Sequence, residues 1–363
     1  MALYIISMFI NSFISFGTII TRDKRITYFF KILLIIGLSI LPAIKSKYVG
    51  TDSLMYVGFF SQHQSYTEWL SNGTEPGFVF SLKFIQSLGA DNYFYYFLFF
   101  SILFNSLIVS AIFSLSKNIP LSVFVFLSYS ALYIFHFNVL RQSMAVAFVL
   151  YSLQFLFNKR YIKFYLFVAL ASLFHYSALC TLSFPFLMKL LDRKPVLLYV
   201  LTLIVLVCFS FASNQIYLLL SSATGAARYS NYADLSAGDS SGKLFILNVF
   251  ILIFFMFVFF RMRIVGLQNA FFLYLFFTCV VINFCISFLG LRYEGAGRII
   301  NYFAFSSIFV FPIVLTSLNP SIRLISYFFT FVFAFSFIVF MLDVANAHGI
   351  LPYSINPYLY SII

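Results

Sequence analysis

The sequence predicts an all-α, polytopic integral membrane protein, and three observations predict it. Long apolar runs recur along all 363 residues; 63% of the chain is hydrophobic, only 9% is charged, and the mean hydropathy is +1.01. Soluble domains carry roughly 25% charged residues. The runs are too long and too unalternating for barrel strands, and a lipid core offers no partner to an open sheet edge, so the spans are helical. Basic residues gather in short connections between the runs, as expected of loops held on the cytoplasmic side.

Each span needs about 20 apolar residues. The first, Met1 to Ile20, lacks a basic leader and a small-residue cleavage site and is followed by Arg22, Lys24 and Arg25, so it reads as a retained span with its N-terminus outside. Further spans are expected at Ile26 to Ile44, Tyr93 to Ser116, Ile119 to Phe137 and Val139 to Phe157. Five more fall at Val196 to Ala212, Leu244 to Phe260, Leu267 to Leu289, Ile299 to Leu318 and Leu324 to Leu342. The run Phe164 to Leu191 has basic flanks on both sides (Lys159, Arg160, Lys163; Arg193, Lys194), so the chain should turn back near His175-Tyr176-Ser177 and make a hairpin of two short spans. The expected total is about twelve crossings, within a range of roughly 10–13, with both termini periplasmic.

Charge supports this topology. Of the 22 Lys and Arg, 13 fall in or beside the expected cytoplasmic loops, and of the 10 Asp and Glu, 8 fall outside. The net charge of +12 therefore reads as membrane orientation and not as a nucleic-acid surface. The whole of 1–363 is expected to be a single transmembrane domain, with one long periplasmic loop over 45–92 that carries a short amphipathic helix and a second over 213–243. Function concentrates in long polar loops held by a rigid scaffold, so the active face should be this outer one. Cys180, Cys208, Cys279 and Cys285 all lie in apolar runs and read as small core residues; the 54 phenylalanines read as lipid-facing bulk.

Arg141 stands inside the apolar stretch Leu121 to Phe157, with His136, Asn138 and Gln142 beside it. A guanidinium at membrane depth costs roughly 2.5–3.5 kcal/mol on insertion scales, so it faces a polar cavity or a partner, or marks a place where the chain breaks surface. Snorkelling to the interface is the structural alternative. Arg292, Tyr293, Glu294 and Arg298 form a short polar insert with Gly290, Gly295 and Gly297. Glycines permit close backbone approach and paired guanidiniums fork onto phosphate oxygens, although Glu294 could also neutralise one arginine within the loop.

In the first outer loop, Asp52 and Glu75 are carboxylates able to accept sugar hydroxyls or to orient a basic side chain; capping by Asp52 and a Glu75-Pro76-Gly77 turn are the structural alternatives. His175, at the expected hairpin tip with Tyr176, could transfer a proton or bind phosphate, or be a satisfied structural histidine. Arg228 is a weaker candidate in the Ser- and Gly-rich second loop. No Asp-x-Asp, metal-ligand spacing, P-loop or dinucleotide fingerprint occurs, so neither a metal nor another cofactor is expected.

Together these segments resemble the EpsG-like group of Wzy-type polysaccharide polymerases. The resemblance rests on Gly50-Thr-Asp52 with Tyr56, Glu75-Pro-Gly77, Arg141-Gln142 opening a span, Leu170 to Ala178 around His175, the Arg292 to Tyr302 stretch and the tail's Asn356-Pro-Tyr358. It implies an enzyme of the bacterial inner membrane that joins undecaprenyl pyrophosphate-linked oligosaccharide units into O-antigen or a related surface polysaccharide. The implied partners are the lipid-linked donor and acceptor, membrane lipid, a chain-length regulator and a flippase, with no nucleic acid. On that reading Arg141, Arg292 and Arg298 hold the pyrophosphate, and His175, Asp52 or Glu75 deprotonates the acceptor hydroxyl. Tyr56, Gln142, Tyr176, Tyr293, Glu294 and Arg228 would contact sugar. A flippase for the same units and an O-antigen ligase are the alternatives; a flippase should show basic groups through the membrane's full depth.

Overall fold

A computed structural model describes all residues except 21–22, 63, 72, 131, 225–241, 264, 290–292 and 362–363, together with some side chains near those gaps. Among the described residues the chain is helical throughout, with one isolated bridge, Lys45 to Ile355, and no strand. Among the described residues eight helices are long and apolar enough to cross a membrane, or nine if the bent pair Ile119–Leu127 and Leu132–Asn138 is one span. The count falls short of about twelve for identifiable reasons. The stretch expected to form the hairpin holds the helix Tyr161–Phe174, a 3-10 segment Tyr176–Ser183 and the helix Phe184–Arg193, and neither helix reaches the roughly 20 residues a span needs. The segment Gly242–Arg261 runs over side chains outside the described set.

The chain forms two compact units, Met1–Leu179 with Phe311–Ile363, and Cys180–Val310. The first is built on α1 (Ala2–Ile20), α2 (Lys24–Ile44), α3 (Ser53–Ser61), α4 (Tyr66–Ser71), α5 (Pro76–Ser87) and α6 (Tyr93–Leu115). It continues with α7 (Ile119–Leu127), α8 (Leu132–Asn138), α9 (Leu140–Phe157) and α10 (Tyr161–Phe174). Side chains start several of these helices: Asp23 accepts from Arg25 N at 2.7 Å, Asn92 from Phe94 N at 2.9 Å and Asn118 from Leu121 N at 3.2 Å, each satisfying an amide that the helix leaves free.

Apolar packing gives little discrimination between helix and lipid, so small and polar residues locate the contacts. A Cβ at Gly37 would lie 2.4 Å from the Asn11 amide oxygen, so α1 and α2 meet there only because the residue is glycine. Asn105 Nδ2 donates to Ser39 Oγ at 3.2 Å, and Tyr133 Oη to the Leu38 carbonyl at 3.0 Å. Phe100, Phe104, Phe126 and Phe137 are fully buried, whereas Phe13, Phe29, Phe328 and Phe329 are exposed on the spans, so the reading of phenylalanine as lipid-facing bulk holds for only part of them. Cys279 and Cys285 are core residues, whereas Cys208 is exposed and Cys180 half-buried.

The stretch 45–92 holds three helices, more than the one short amphipathic piece expected. Aromatic packing orders them: Phe59 lies 4.7 Å from Trp69, Phe60 lies 5.8 Å from Tyr96, and Phe78 lies 5.9 Å from Phe100 on α6. In the second unit, Leu267–Phe288 is a well-enclosed long element, with Phe184 at 5.6 Å from Phe271 and Phe272 stacked on Phe309 at 4.4 Å.

Candidate functional site

Arg141 is the second residue of α9, immediately after the helical register breaks at Val139 (φ −104°, ψ 70°). The apolar run from Leu121 is thus interrupted where the arginine stands, and the first amides of α9 add a positive helix end. Its Nη1 donates to Glu75 Oε2 at 2.6 Å, with the arginine side chain 25% exposed and the glutamate 7%. The guanidinium carbon lies 5.6 Å from the Phe78 ring and 6.0 Å from Phe59, a cation-π setting on two sides. The Tyr56 hydroxyl completes the enclosure by hydrogen bonding to Arg141; burial raises the Tyr56 phenol above its ordinary value and the guanidinium opposes that rise.

Glu75 occupies the N-cap position of α5 yet makes no capping bond, because its carboxylate goes to Arg141. Pro76 starts the helix with a preset φ. At Gly77 a Cβ would meet Leu173 Cβ at 2.8 Å and the Leu173 carbonyl at 3.0 Å. The Glu-Pro-Gly sequence is therefore more than a turn: it aims the carboxylate and lets α5 rest on the last turn of α10. His175 ends that turn, two residues beyond Leu173, and its Nδ1 pairs with Ser177 Oγ at 2.6 Å.

Asp52 precedes α3 without capping it (φ −92°, ψ −5°); the residue is half-buried, its carboxylate receives the Thr51 hydroxyl at 3.3 Å and it makes no ion pair among the described residues. Its backbone amide donates to Asn138 Oδ1 at 2.7 Å, and Asn138 Nδ2 donates to Thr51 Oγ1 at 2.9 Å. Asn138 Nδ2 also lies 3.5 Å from His348 Nδ1. The tail reaches this point through Thr51 N to the His348 carbonyl at 2.9 Å and Gly50 N to the Gly349 carbonyl at 3.0 Å. Asn346 and His348 hold φ of 39° and 64° to do so, a left-handed conformation uncommon outside glycine. Burial pushes the His348 imidazole below its ordinary value, and the Asp52 charge pulls it back up.

Beneath Asp52 lies Lys45, fully buried. Its ammonium donates to the Phe137 carbonyl at 2.5 Å, to the Val49 carbonyl at 3.0 Å and to Ser53 Oγ, and stands 4.2 Å from the Phe97 ring. Burial pushes the amine down to about 7, opposed by Asp52. Lys45, Asn138 as an anchor and His348 are the residues that sequence reasoning misses. Lys45 reads as one more loop cation and His348 as a lone histidine in the tail, and their only sequence signal is proximity to a helix end.

The structure thus brings Asp52, Tyr56, Glu75 and Arg141 into one neighbourhood of the first unit. Tyr56 is 1% exposed and Gln142 3%, so both are enclosed, whereas Tyr176 is 45% exposed. Arg298 lies exposed on the helix Tyr293–Ala304 of the second unit; Arg292 and Arg228, and the side chains of Tyr293 and Glu294, lie outside the described residues. Among the described residues no group of three or more His, Cys, Asp or Glu converges.

The EpsG family model matches residues 28–355, which takes in every group just described. The chain belongs to the EpsG family. EpsG is a Wzy-like polymerase family, so EpsG membership gives this membrane protein a polysaccharide-polymerase type of activity, glycosyltransferase-like in kind. Comparison with curated proteins and with solved structures returned no match.

Proposed function

We propose that this EpsG protein joins oligosaccharide repeat units carried on undecaprenyl pyrophosphate into a surface polysaccharide, at the periplasmic face of the inner membrane, by metal-independent glycosyl transfer. The observation that carries the reading is the partly exposed Arg141 guanidinium at a helix start, held by Glu75 and Tyr56, with the Asp52 carboxylate, outside any ion pair among the described residues, tied to the same break through Asn138.

In this scheme the acceptor hydroxyl gives its proton to Asp52 while its oxygen forms the new bond to the anomeric carbon of the donor. The bond from that carbon to the diphosphate breaks, and the lipid diphosphate leaves with the electron pair. Arg141, with Arg292 and Arg298 as further candidates, stabilises the charge that develops there, which preorganised cations do without a metal. Glu75 is engaged by Arg141 and His175 by Ser177, so Asp52 is the base that the geometry favours, with His348 as its charged or neutral neighbour.

The test is deletion of the gene followed by electrophoresis of the surface polysaccharide, with Arg141→Ala restored in trans. A polymerase predicts loss of long chains with single repeat units retained, in the deletion and, per unit of protein in the membrane, in Arg141→Ala. Complete loss of polysaccharide in the deletion would instead indicate a ligase or a flippase, and long chains persisting in Arg141→Ala would remove that residue from the chemistry.

A further inference from the structure

A cleft of about 590 Å³ opens where the end of α2, the start of α6 and the tail meet. Its walls include Lys47, Tyr48, Asn92, Tyr93, Asn356 and Tyr358. The tail is fastened there by several independent bonds: Ser46 N to the Ser354 carbonyl at 2.8 Å, Asn356 N to the Ile44 carbonyl at 2.8 Å, and Asn356 Nδ2 to Asn92 Oδ1 at 2.9 Å. Asn356 Oδ1 in turn accepts from Tyr358 N at 3.1 Å, which sets the angle of that tyrosine. The Tyr358 hydroxyl lies 3.5 Å from Tyr95 Oη and 3.4 Å from Asp91 Oδ1, and these partners push its phenol up to about 12. On the far side of Tyr358 a second cleft of about 530 Å³ continues along Gly89, Asp91 and Tyr95.

The lining selects a class of ligand. Tyrosine offers a rigid, amphipathic face at low entropic cost, and a sugar ring presents one face of C–H groups bounded by hydroxyls. Three tyrosines, the amides and serines of the wall and a single cation, Lys47, make a surface that is aromatic, rich in hydrogen-bonding groups and only weakly charged. Anionic ligands such as diphosphate find only Lys47, which already lies 5.3 Å from the Tyr48 ring. Tyr48 is 68% exposed and four residues before Asp52, so the two are separated by at most about 14 Å of chain. The volume falls in the range of small-molecule sites, roughly 300–1,000 Å³.

We propose that this cleft is a glycan subsite, which grips sugars of the bound oligosaccharide beyond the residue that reacts. The proposal rests on the polymerase reading for its ligand. It asks for stacking on Tyr48 and Tyr358 and for hydrogen bonding to the tail.

The experiment uses the full chain in lipid nanodiscs. The probe is a size-fractionated, lipid-free oligosaccharide set released by mild acid from the host's own surface polysaccharide, and binding is followed by saturation-transfer difference NMR. Tyr48→Ala and Tyr358→Ala should each weaken binding about tenfold or more, while Gly58→Ala, with open space around it, should bind as the parent does. Tyr48 makes no side-chain hydrogen bond among the described residues, so its variant should fold normally and is the deciding one if Tyr358→Ala loosens the tail. Unchanged binding in Tyr48→Ala, or no binding by the parent protein, overturns the subsite. A deletion strain that still makes long chains would remove the polymerase reading on its own, without touching the binding result.

Discussion

Replacing Glu75 by Gln tests whether Arg141 is held by charge or merely by packing. The substitution keeps the shape of the side chain and removes the acceptor charge from a 2.6 Å contact in which the arginine and glutamate side chains are 25% and 7% exposed. Removing one partner of a buried ion pair costs about 3–5 kcal/mol because the other charge is left uncompensated. Here the guanidinium keeps some contact with water and two aromatic faces, so the loss should fall to about 2–3 kcal/mol. Arg141→Gln should cost about the same, since it strands the glutamate, which is the more buried of the two. If the two act as a pair, the double variant costs less than the sum of the singles by about 1.5–2.5 kcal/mol. Unfolding by SDS titration in mixed micelles measures all three. Glu75→Asp, one methylene shorter with the charge kept, should recover part of the stability and part of the long-chain polysaccharide. Single-variant effects that add to within about 0.5 kcal/mol would refute the pairing and return Arg141 to the role of an interfacial anchor.

Three further outcomes follow from the same neighbourhood. Gly50 holds φ at 99° and a Cβ there would sit 2.9 Å from Ser53 Oγ and 3.1 Å from the Phe137 carbonyl, so Gly50→Ala should destabilise by about 1–3 kcal/mol, whereas Gly58→Ala, with open space around it, serves as the neutral control in the same titration. Asp52→Asn should leave protein level near that of the parent, because the carboxylate caps nothing and makes no ion pair among the described residues, while long-chain product on the gel disappears; normal chains would exclude Asp52 as the base. The Lys45 amine titrates near 7 when folded against about 10.5 unfolded, so the unfolded chain binds more protons between those values, and its contribution to stability rises with pH from about 7 and is lost as pH falls through 7. Thermal midpoints of the parent and Lys45→Met at pH 7 and pH 9.5 should therefore differ in slope, and parallel profiles would show that this lysine does not titrate in that window.

Spans are legible because an apolar run has one readable property, its length. The ends of Met1 to Ile20, Val139 to Phe157 and Leu267 to Leu289 agree with the helices to within a residue or so. The break between Phe137 and Leu140 is legible too, since His136, Asn138 and Arg141 have no reason to lie together in a lipid-facing helix. The stretch 45–92 is not: its order comes from Phe59, Trp69 and Phe78 packing with one another and on α6, contacts between residues distant in sequence. Lys45 falls among the loop cations because charge alone cannot distinguish a solvated ammonium from one ringed by backbone carbonyls. His348 escapes notice because the tail's approach depends on Gly50 and Gly349 in left-handed conformations, which no periodicity announces.

The break at Val139 ties these elements together, since the residues on either side of it each anchor a different part of 45–92. The Phe137 carbonyl receives Lys45, the Asn138 side chain receives the Asp52 amide, and Arg141 holds Glu75. Asn138 separates an anchoring role from a merely structural one. Asn138→Ala strands the Asp52 amide, an unmet donor worth about 1–3 kcal/mol, and frees the Thr51-Asp52 corner. Asn138→Asp keeps an acceptor for that amide, which restores much of the stability, but sets a second negative charge beside the Asp52 carboxylate and removes the donor to Thr51. Protein abundance should therefore recover in the Asp variant relative to Ala, while long-chain synthesis stays low in both. Polymer that tracks abundance across the two variants would mean that Asn138 holds the fold and nothing more, and Asp52 would lose its link to the arginine site.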